Sequence, residues 1–426
     1  MIMPMNNQKP DLTHAEKYQV KQCRICKSSN LHPFLSLGAM PIPNGFLTQD
    51  ELATPEPYYP LGVCVCESCW LVQLTHVVPA SIMFKNYLYI PSTSSTMVDH
   101  FKSMAHEIID TFKLQPNDLV VDVGSNDGTL LSNFKNKEMR VLRVDPASNL
   151  ASVARLRGIE TIDDFFTEKL AQTIYKEKGG AQVITGTNVF AHIDNLHDVC
   201  GGVNTLLDKK GIFVVEFPYL VDLLAKNEFD TIYHEHLSYF AIRPLMELLR
   251  AHNMFIFDVK KLSVHGGSVR VYVAKNDSGY TPKPVVDAMA REELLKKFNK
   301  RAPYDDFARR VEVIKRDLKN YLMQLRGEGK RVIGYGASAK GNVLLNYCNI
   351  GTDVLDYIVD SIHYKQGRFT PGTHVPIVPE ARLETDQPDH ALLLAWNFAD
   401  EILRKQMQYR ERGGQFIITI PYLRIE

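Results

Sequence analysis

Apolar residues recur at helical spacing over 97–112 (Met97, Phe101, Met104, Ile108, Ile109, Phe112), and the Pro116-Asn-Asp turn stops the pattern. Beyond it the period changes. Apolar runs of strand length at 119–123, 140–144, 182–185 and 211–217 alternate with helix-length patterns, an order that predicts βαβ units and a parallel sheet. A helix is expected around 244–253, and 254–259 and 268–274, flanking His265-Gly-Gly, read as a pair of antiparallel strands. After the Pro-containing segment 280–284, amphipathic, charge-rich helices run to about Arg326. The alternation then resumes with runs at 331–334, 354–359, 391–395 and 416–420 and a helix after Ala337, which predicts a second, smaller parallel sheet. The start of the chain has another texture. Its first 20 residues are polar loop, and 23–78 reads as short pieces between Pro33, Gly38, Pro41, Pro43, Gly45, Pro55, Pro57 and Pro60. No internal repeat is evident.

A chain of 426 residues carries two or three cores, and 45% apolar with 23% charged residues sets disorder and fibrous folds aside. The 49 Lys and Arg balance 49 Asp and Glu, so no net field recruits nucleic acid or an anionic membrane. No run of 18 apolar residues occurs, and Met1-Ile-Met-Pro-Met lacks the order of a signal peptide, so a cytoplasmic protein is expected. Neither a long apolar edge nor a heptad seam demands a partner, and a monomer is expected.

Five of the seven cysteines lie between Cys23 and Cys69, which in a reduced chain argues for metal rather than disulfides. Cys23-x-x-Cys26 and Cys66-x-x-Cys69 are two knuckles of paired thiolates suited to one tetrahedral ion, read as structural zinc. Cys64 is left out as a spare. Four thiolates leave no open position for water, so scaffolding is expected of the metal.

At 119–131 an apolar strand runs into a Gly-rich turn and a helix, Leu119-Val-Val-Asp122-Val-Gly124-Ser125-Asn126-Asp127-Gly128-Thr. Gly124 and Gly128 let a ligand approach the main chain, and the helix start offers N–H groups to a carboxylate. The spacing is not the G-x-G-x-x-G of dinucleotide sites, and Asp127 would repel a pyrophosphate but pair with an amino group, which favours an amino-acid ligand. The next strand ends at Asp145, where an acid accepts from two ribose hydroxyls. Asp163 and Asp164 would flank an adenine, and Asn188 and His192 close the fourth strand over the cofactor. In this order the residues favour S-adenosylmethionine.

The stretch Tyr233-His234-Glu235-His236 packs two imidazoles, a phenol and a carboxylate together, with histidines two apart, unlike the spacing of a zinc protease. Together with the cysteine pairs, Asp122-Val-Gly-Ser-Asn-Asp-Gly128, His265-Gly-Gly-Ser-x-Arg270 and Gly334-Tyr-Gly-Ala-Ser-Ala-Lys-Gly341, it resembles the nucleotide-sugar C-methyltransferases of deoxysugar pathways over nearly the whole chain. The resemblance implies an α/β protein with a small zinc-binding amino-terminal domain (1–85), a central Rossmann-like class I methyltransferase domain (86–280) and a second Rossmann-like domain (281–426). It implies a dTDP-4-keto-deoxysugar methylated at C3, and it adds Tyr87 as an active-site phenol.

Methyl transfer to carbon needs a C–H beside a ketone to be deprotonated and the enolate oxygen to be stabilised. His236 is the expected base, with Glu235 holding its tautomer, while Tyr233 and His192 donate to the enolate or help move the proton. The turn Gly334-Tyr-Gly336-Ala-Ser-Ala-Lys340-Gly-Asn342 puts Lys340 near a helix start where a diphosphate would sit. Taken alone it could hold NAD, but the third glycine is Ala339, and Asp360 is followed by Lys365-Gln-Gly-Arg368. The resemblance suggests that this domain helps hold the sugar nucleotide; Arg270 and Trp396 are further substrate contacts. An O-methyltransferase and a nicotinamide oxidoreductase remain the alternatives.

Overall fold

The computed structural model describes residues 15–79, 83, 92 and 94–426; Tyr87 lies outside the described residues. Three sheets are formed among the described residues. The first is antiparallel, formed by β1 (Leu31–Met40), β2 (Tyr59–Cys66) and β3 (Val72–Leu74). The turn formers of this segment hid a ten-residue strand. Pro33 and Gly38 sit in β1 because β1 is the sheet edge and its register shifts at Pro33/Leu35 and again at Ser36/Ala39, where a missing N–H or a positive φ is tolerated.

The central sheet has seven strands: β4 (Leu119–Val123), β5 (Arg140–Val144), β6 (Glu160–Ile162), β7 (Ala181–Thr187) and β8 (Leu207–Pro218), then β10 (Met254–Leu262) and β11 (Ser268–Lys275). Their order is β10-β11-β8-β7-β4-β5-β6, parallel from β8 to β6 and antiparallel at β11 and β10. All five residues of β4 are buried, as expected for a strand covered on both faces. The helix Ser95–Phe112 buries Met97, Phe101, Met104 and Ile108 against this sheet, and the Ser94 hydroxyl accepts from the Met97 N–H to cap it.

The third sheet runs β14 (Ile377–Pro379), β13 (Ile358–Asp360), β12 (Val332–Tyr335), β15 (His390–Leu393), β16 (Gln415–Ile418), β17 (Arg424–Ile425), parallel except for the last pair. Helices Pro284–Leu295 and Ala302–Gly327 connect it to the central sheet.

One short strand joins two of these layers. β9 (Ser238–Tyr239), from the middle of the chain, pairs with β3 and completes the amino-terminal sheet. The residues just before it, Tyr233 to His236, are thereby held between the cysteine-bearing domain and the central sheet. No described helix is long and apolar enough to cross a membrane.

Candidate active site

The Cys23, Cys26, Cys66 and Cys69 sulfurs lie within 4.8 Å of one another, with Cys23 to Cys69 at 3.4 Å and Cys26 to Cys66 at 3.5 Å. A tetrahedral zinc with Zn–S of about 2.3 Å sets its ligand sulfurs roughly 3.8 Å apart, so the cluster fits the ion. Cys64 lies outside the cluster, its thiol on the Gln73 carbonyl. The first knuckle is bolted to the central domain: His197 Nε2 donates to the Ile25 carbonyl at 2.7 Å, and Arg24 pairs with Asp194.

At the carboxyl edge of the central sheet, Gly124 adopts φ +68°, and a Cβ there would run into Val189 at the end of β7. Only glycine permits both the turn and this approach. Asp122 is buried; its carboxylate accepts from Thr185 Oγ1 at 2.6 Å, and burial pushes it up to about 7 against the pull of the Thr185 and Ser125 hydroxyls. Asp145 accepts from the Asn126 N–H at 2.8 Å and the Ala147 N–H at 2.7 Å, which locks the Gly124–Gly128 turn to the end of β5. Its Oδ1 also pairs with Arg143 at 3.4 Å, while Oδ2 keeps a second lone pair for a ligand hydroxyl. The Gly124 turn and Asp145 stand at the edge where the methionine and ribose ends of S-adenosylmethionine are expected, with Asn188, in the left-handed region at φ +54°, just past β7.

One expected cofactor contact is spent otherwise. Asp127 is fully buried; its carboxylate accepts from Thr129 N and Oγ1 and pairs with Arg157 at 3.2 Å. It caps the helix Thr129–Lys135 and does not face a ligand amino group, because a side chain two residues before a helix start bonds the first free N–H. Asp164 is exposed and accepts from the Phe165 N–H, while Asp163 pairs with Arg143 and Arg155.

The candidate reacting residues converge. The ring centroid of His236 lies 3.9 Å from that of Tyr233 and 5.0 Å from that of His192. His236 Nδ1 is 2.8 Å from the Thr231 carbonyl oxygen. A carbonyl only accepts, so Nδ1 carries the proton and the neutral ring leaves its lone pair on Nε2. His192 follows Val189 by one turn of 3₁₀ helix, so the Gly124 turn and the His236 stretch share one rim. Burial pushes His192 down to about 4 and so keeps it neutral. A narrow cleft opens beside His236, lined also by Ala191, Phe217, Thr231 and Tyr239.

Glu235 does not hold the imidazole. Its carboxylate accepts from Asn44 Nδ2 at 2.6 Å, and burial pushes it up to about 7. The backbone at Thr231 takes the orienting role instead. His234 turns to the amino-terminal sheet, donating to the Tyr59 carbonyl at 3.2 Å.

Arg270 does not reach a substrate either. It is 2% exposed, with Nε 2.5 Å from Glu216 Oε1 and Nη1 3.0 Å from Glu107. The other Glu216 oxygen meets His100 Nε2 at 2.7 Å. Burial alone would raise Glu216, but the His100 hydrogen bond and the Arg270 charge hold it below its usual value. Sequence reasoning missed this pair, which sits at the sheet edge where Thr187 and Glu216 are register partners. The available signal was a lone acid inside the apolar run Gly211-Ile-Phe-Val-Val-Glu216-Phe.

The remaining substrate candidates line the seam with the third domain. Lys340 Nζ lies 4.4 Å from the Trp396 ring centroid, and Trp396 Nε1 donates to Asp230 at 2.6 Å. Asn342 donates to the Pro43 carbonyl at 2.6 Å, a contact with the amino-terminal domain, and Gly336 at φ +84° turns tightly against Ala395. Asp360 is taken by the Ala337 N–H at 2.7 Å.

Residues 23–84 match the family model described as "Putative zinc binding domain", 99–256 "Methyltransferase domain" and 263–421 "C-methyltransferase C-terminal domain". C-methyltransferase NovU of Streptomyces niveus is 37% identical over 406 residues, spanning 95% of this chain and 97% of that protein. Among solved structures, an S-adenosylmethionine-dependent methyltransferase from Clostridium acetobutylicum matches at 16% identity and TM-score 0.34, over 42% of this chain and 92% of that one. One from Anabaena variabilis matches at 15% identity and TM-score 0.34, over 44% and 86%.

Proposed function

The chain belongs to the S-adenosylmethionine-dependent C-methyltransferases that carry a zinc-binding amino-terminal domain, and from that premise we propose that it methylates C3 of a nucleotide-linked, dTDP-type 4-keto-deoxysugar through an enolate. S-adenosylmethionine, when bound, supplies an electrophilic methyl group. His236 Nε2 takes the proton from the carbon next to the ketone, and the electron pair of that C–H bond moves onto the ketone oxygen. Tyr233 and His192 stand beside His236 to donate hydrogen bonds to that oxygen or to pass the proton on. The Thr231 carbonyl keeps the imidazole in the tautomer that can act as a base, and it steadies the imidazolium once formed.

The observation that carries this reading is the meeting of His236, Tyr233 and His192 on the rim of the Gly124 turn. It is tested by incubating the protein with dTDP-4-keto-sugars in deuterium oxide, first without and then with labelled methyl donor. Deuterium entering at C3 before the donor is added, then a new C–C bond, is the expected result. No exchange together with an ether product would overturn it in favour of an O-methyltransferase.

A further inference from the structure

The turn Phe229–Thr231 has two sides. On one, the Thr231 carbonyl holds His236; on the other, Glu228 and Asp230 meet Lys340 and Trp396 of the third domain. Glu228 and Asp230 are both 0% exposed. Both oxygens of Glu228, Asp230 Oδ1 and Lys340 Nζ are buried without a hydrogen-bond partner. The Lys340 charge acts on both acids, yet no ion pair closes between them. Buried charges left open in this way are costly, and native proteins keep them where a water or a ligand completes the set.

The surroundings of these groups are fixed. Asp230 Oδ2 is anchored by the Trp396 indole. The Val264–Gly266 turn approaches so closely that a Cβ on Gly266, at φ +93°, would run into the Glu228 carboxylate and lie 2.8 Å from Trp396 Cη2. Glu228 and Asp230 face Lys340, and the flanking Lys226 is matched by Asp222 at 4.0 Å, so the cluster presents no net positive charge and repels a diphosphate. Burial pushes Glu228 up to about 7 and Asp230 up to about 6 against the pull of the Lys340 charge. Hydroxyl groups satisfy every open atom: each carboxylate oxygen accepts an O–H, and the ammonium donates to a hydroxyl or carbonyl oxygen.

We propose that Glu228, Asp230 and Lys340 form the specificity pocket that reads the hydroxyl and keto pattern of the sugar ring, and that the diphosphate lies outside it. The inference rests on the nucleotide-sugar reading above, and it moves Lys340 from the diphosphate to the sugar. A ring held by Asp230 sits one residue from the carbonyl that orients His236, which ties recognition to the base.

The test is calorimetric binding of two probes, dTDP and dTDP-glucose, to the full chain and to Glu228→Gln, Asp230→Asn and Lys340→Met. Methyl-donor affinity serves as the check on folding, and any variant that keeps it carries the test for the others. Expected is a loss of about tenfold or more in dTDP-glucose affinity with dTDP affinity held within about twofold, because unpaired pocket groups discriminate strongly between ligands with and without the matching hydroxyl. Equal loss for both probes would make this the diphosphate site, and no loss for either would make the charges structural; both overturn the proposal. Wild-type protein that binds neither probe overturns the nucleotide-sugar reading itself, and this pocket with it.

Discussion

Glu235→Gln isolates the cost of one buried acid. The carboxyl is 2% exposed, it accepts from Asn44 Nδ2, and burial lifts it from 4.5 to about 7. Between those values the folded chain keeps a proton that the unfolded chain has lost, so stability falls as pH rises through the window and the whole cost stands above it. A lift of that size is worth about 3 kcal/mol. Glutamine keeps a carbonyl oxygen for Asn44 and cannot ionise, so the variant should match wild type near pH 4.5 and be more stable at pH 8 by about 3 kcal/mol. The readout is amide exchange at Leu237 and Leu74, whose N–H groups bond the Ala191 and Leu237 carbonyls beside the site. At pH 8 exchange should slow by roughly 100-fold in the variant. A difference that stays constant from pH 5 to 8, or faster exchange in the variant at pH 8, would refute the assignment of a destabilising buried acid.

His236→Asn should slow deuterium exchange beside the ketone by about 10² to 10⁴ and leave methyl-donor affinity unchanged; exchange at the wild-type rate would remove His236 as base. Gly124→Ala places a methyl against Val189 at a positive φ, so calorimetry should show loss of methyl-donor binding with the zinc content intact. In Cys26→Ser, elemental analysis should find the metal lost, and methyl transfer should fall with it while donor binding persists, because β3 no longer holds β9. Arg270→Met strands the buried Glu216 and should lower stability by about 3 to 5 kcal/mol in denaturant titration; a neutral outcome would mean that His100 alone satisfies that acid.

The parallel strands were legible because a strand buried on both faces must be apolar along its length, and the runs at 119–123 and 140–144 coincide with β4 and β5. The cysteine quartet was legible for a similar reason, since two paired knuckles have few other uses. β1 was not, because tolerance of Pro33 depends on its being the edge strand, a property of the sheet and not of the local sequence. The roles of individual acids were hidden for the same reason. Asp127 and Asp145 both flank one turn, but only the folded backbone decides that the first caps a helix while the second ties the turn to β5. Glu235 lies next to His236 in sequence, yet a tight turn closed by the His236 N–H on the Tyr233 carbonyl separates their side chains, so Glu235 serves Asn44 while a carbonyl serves the ring.

That division of neighbours also explains why a scaffolding metal belongs in a methyltransferase. Residues 228–241 send successive groups to three layers: Asp230 to Trp396 of the third domain, His236 to the sheet edge, and His234, Glu235 and β9 to the amino-terminal domain. The Pro43–Asn44 loop returns the connection, with Asn44 on Glu235 and the Pro43 carbonyl on Asn342. A segment with almost no regular structure of its own can hold an imidazole in one tautomer only if its neighbours are rigid. Of the three layers the amino-terminal sheet is the smallest, and four thiolates closing on one ion fix it where its own core is too small to do so.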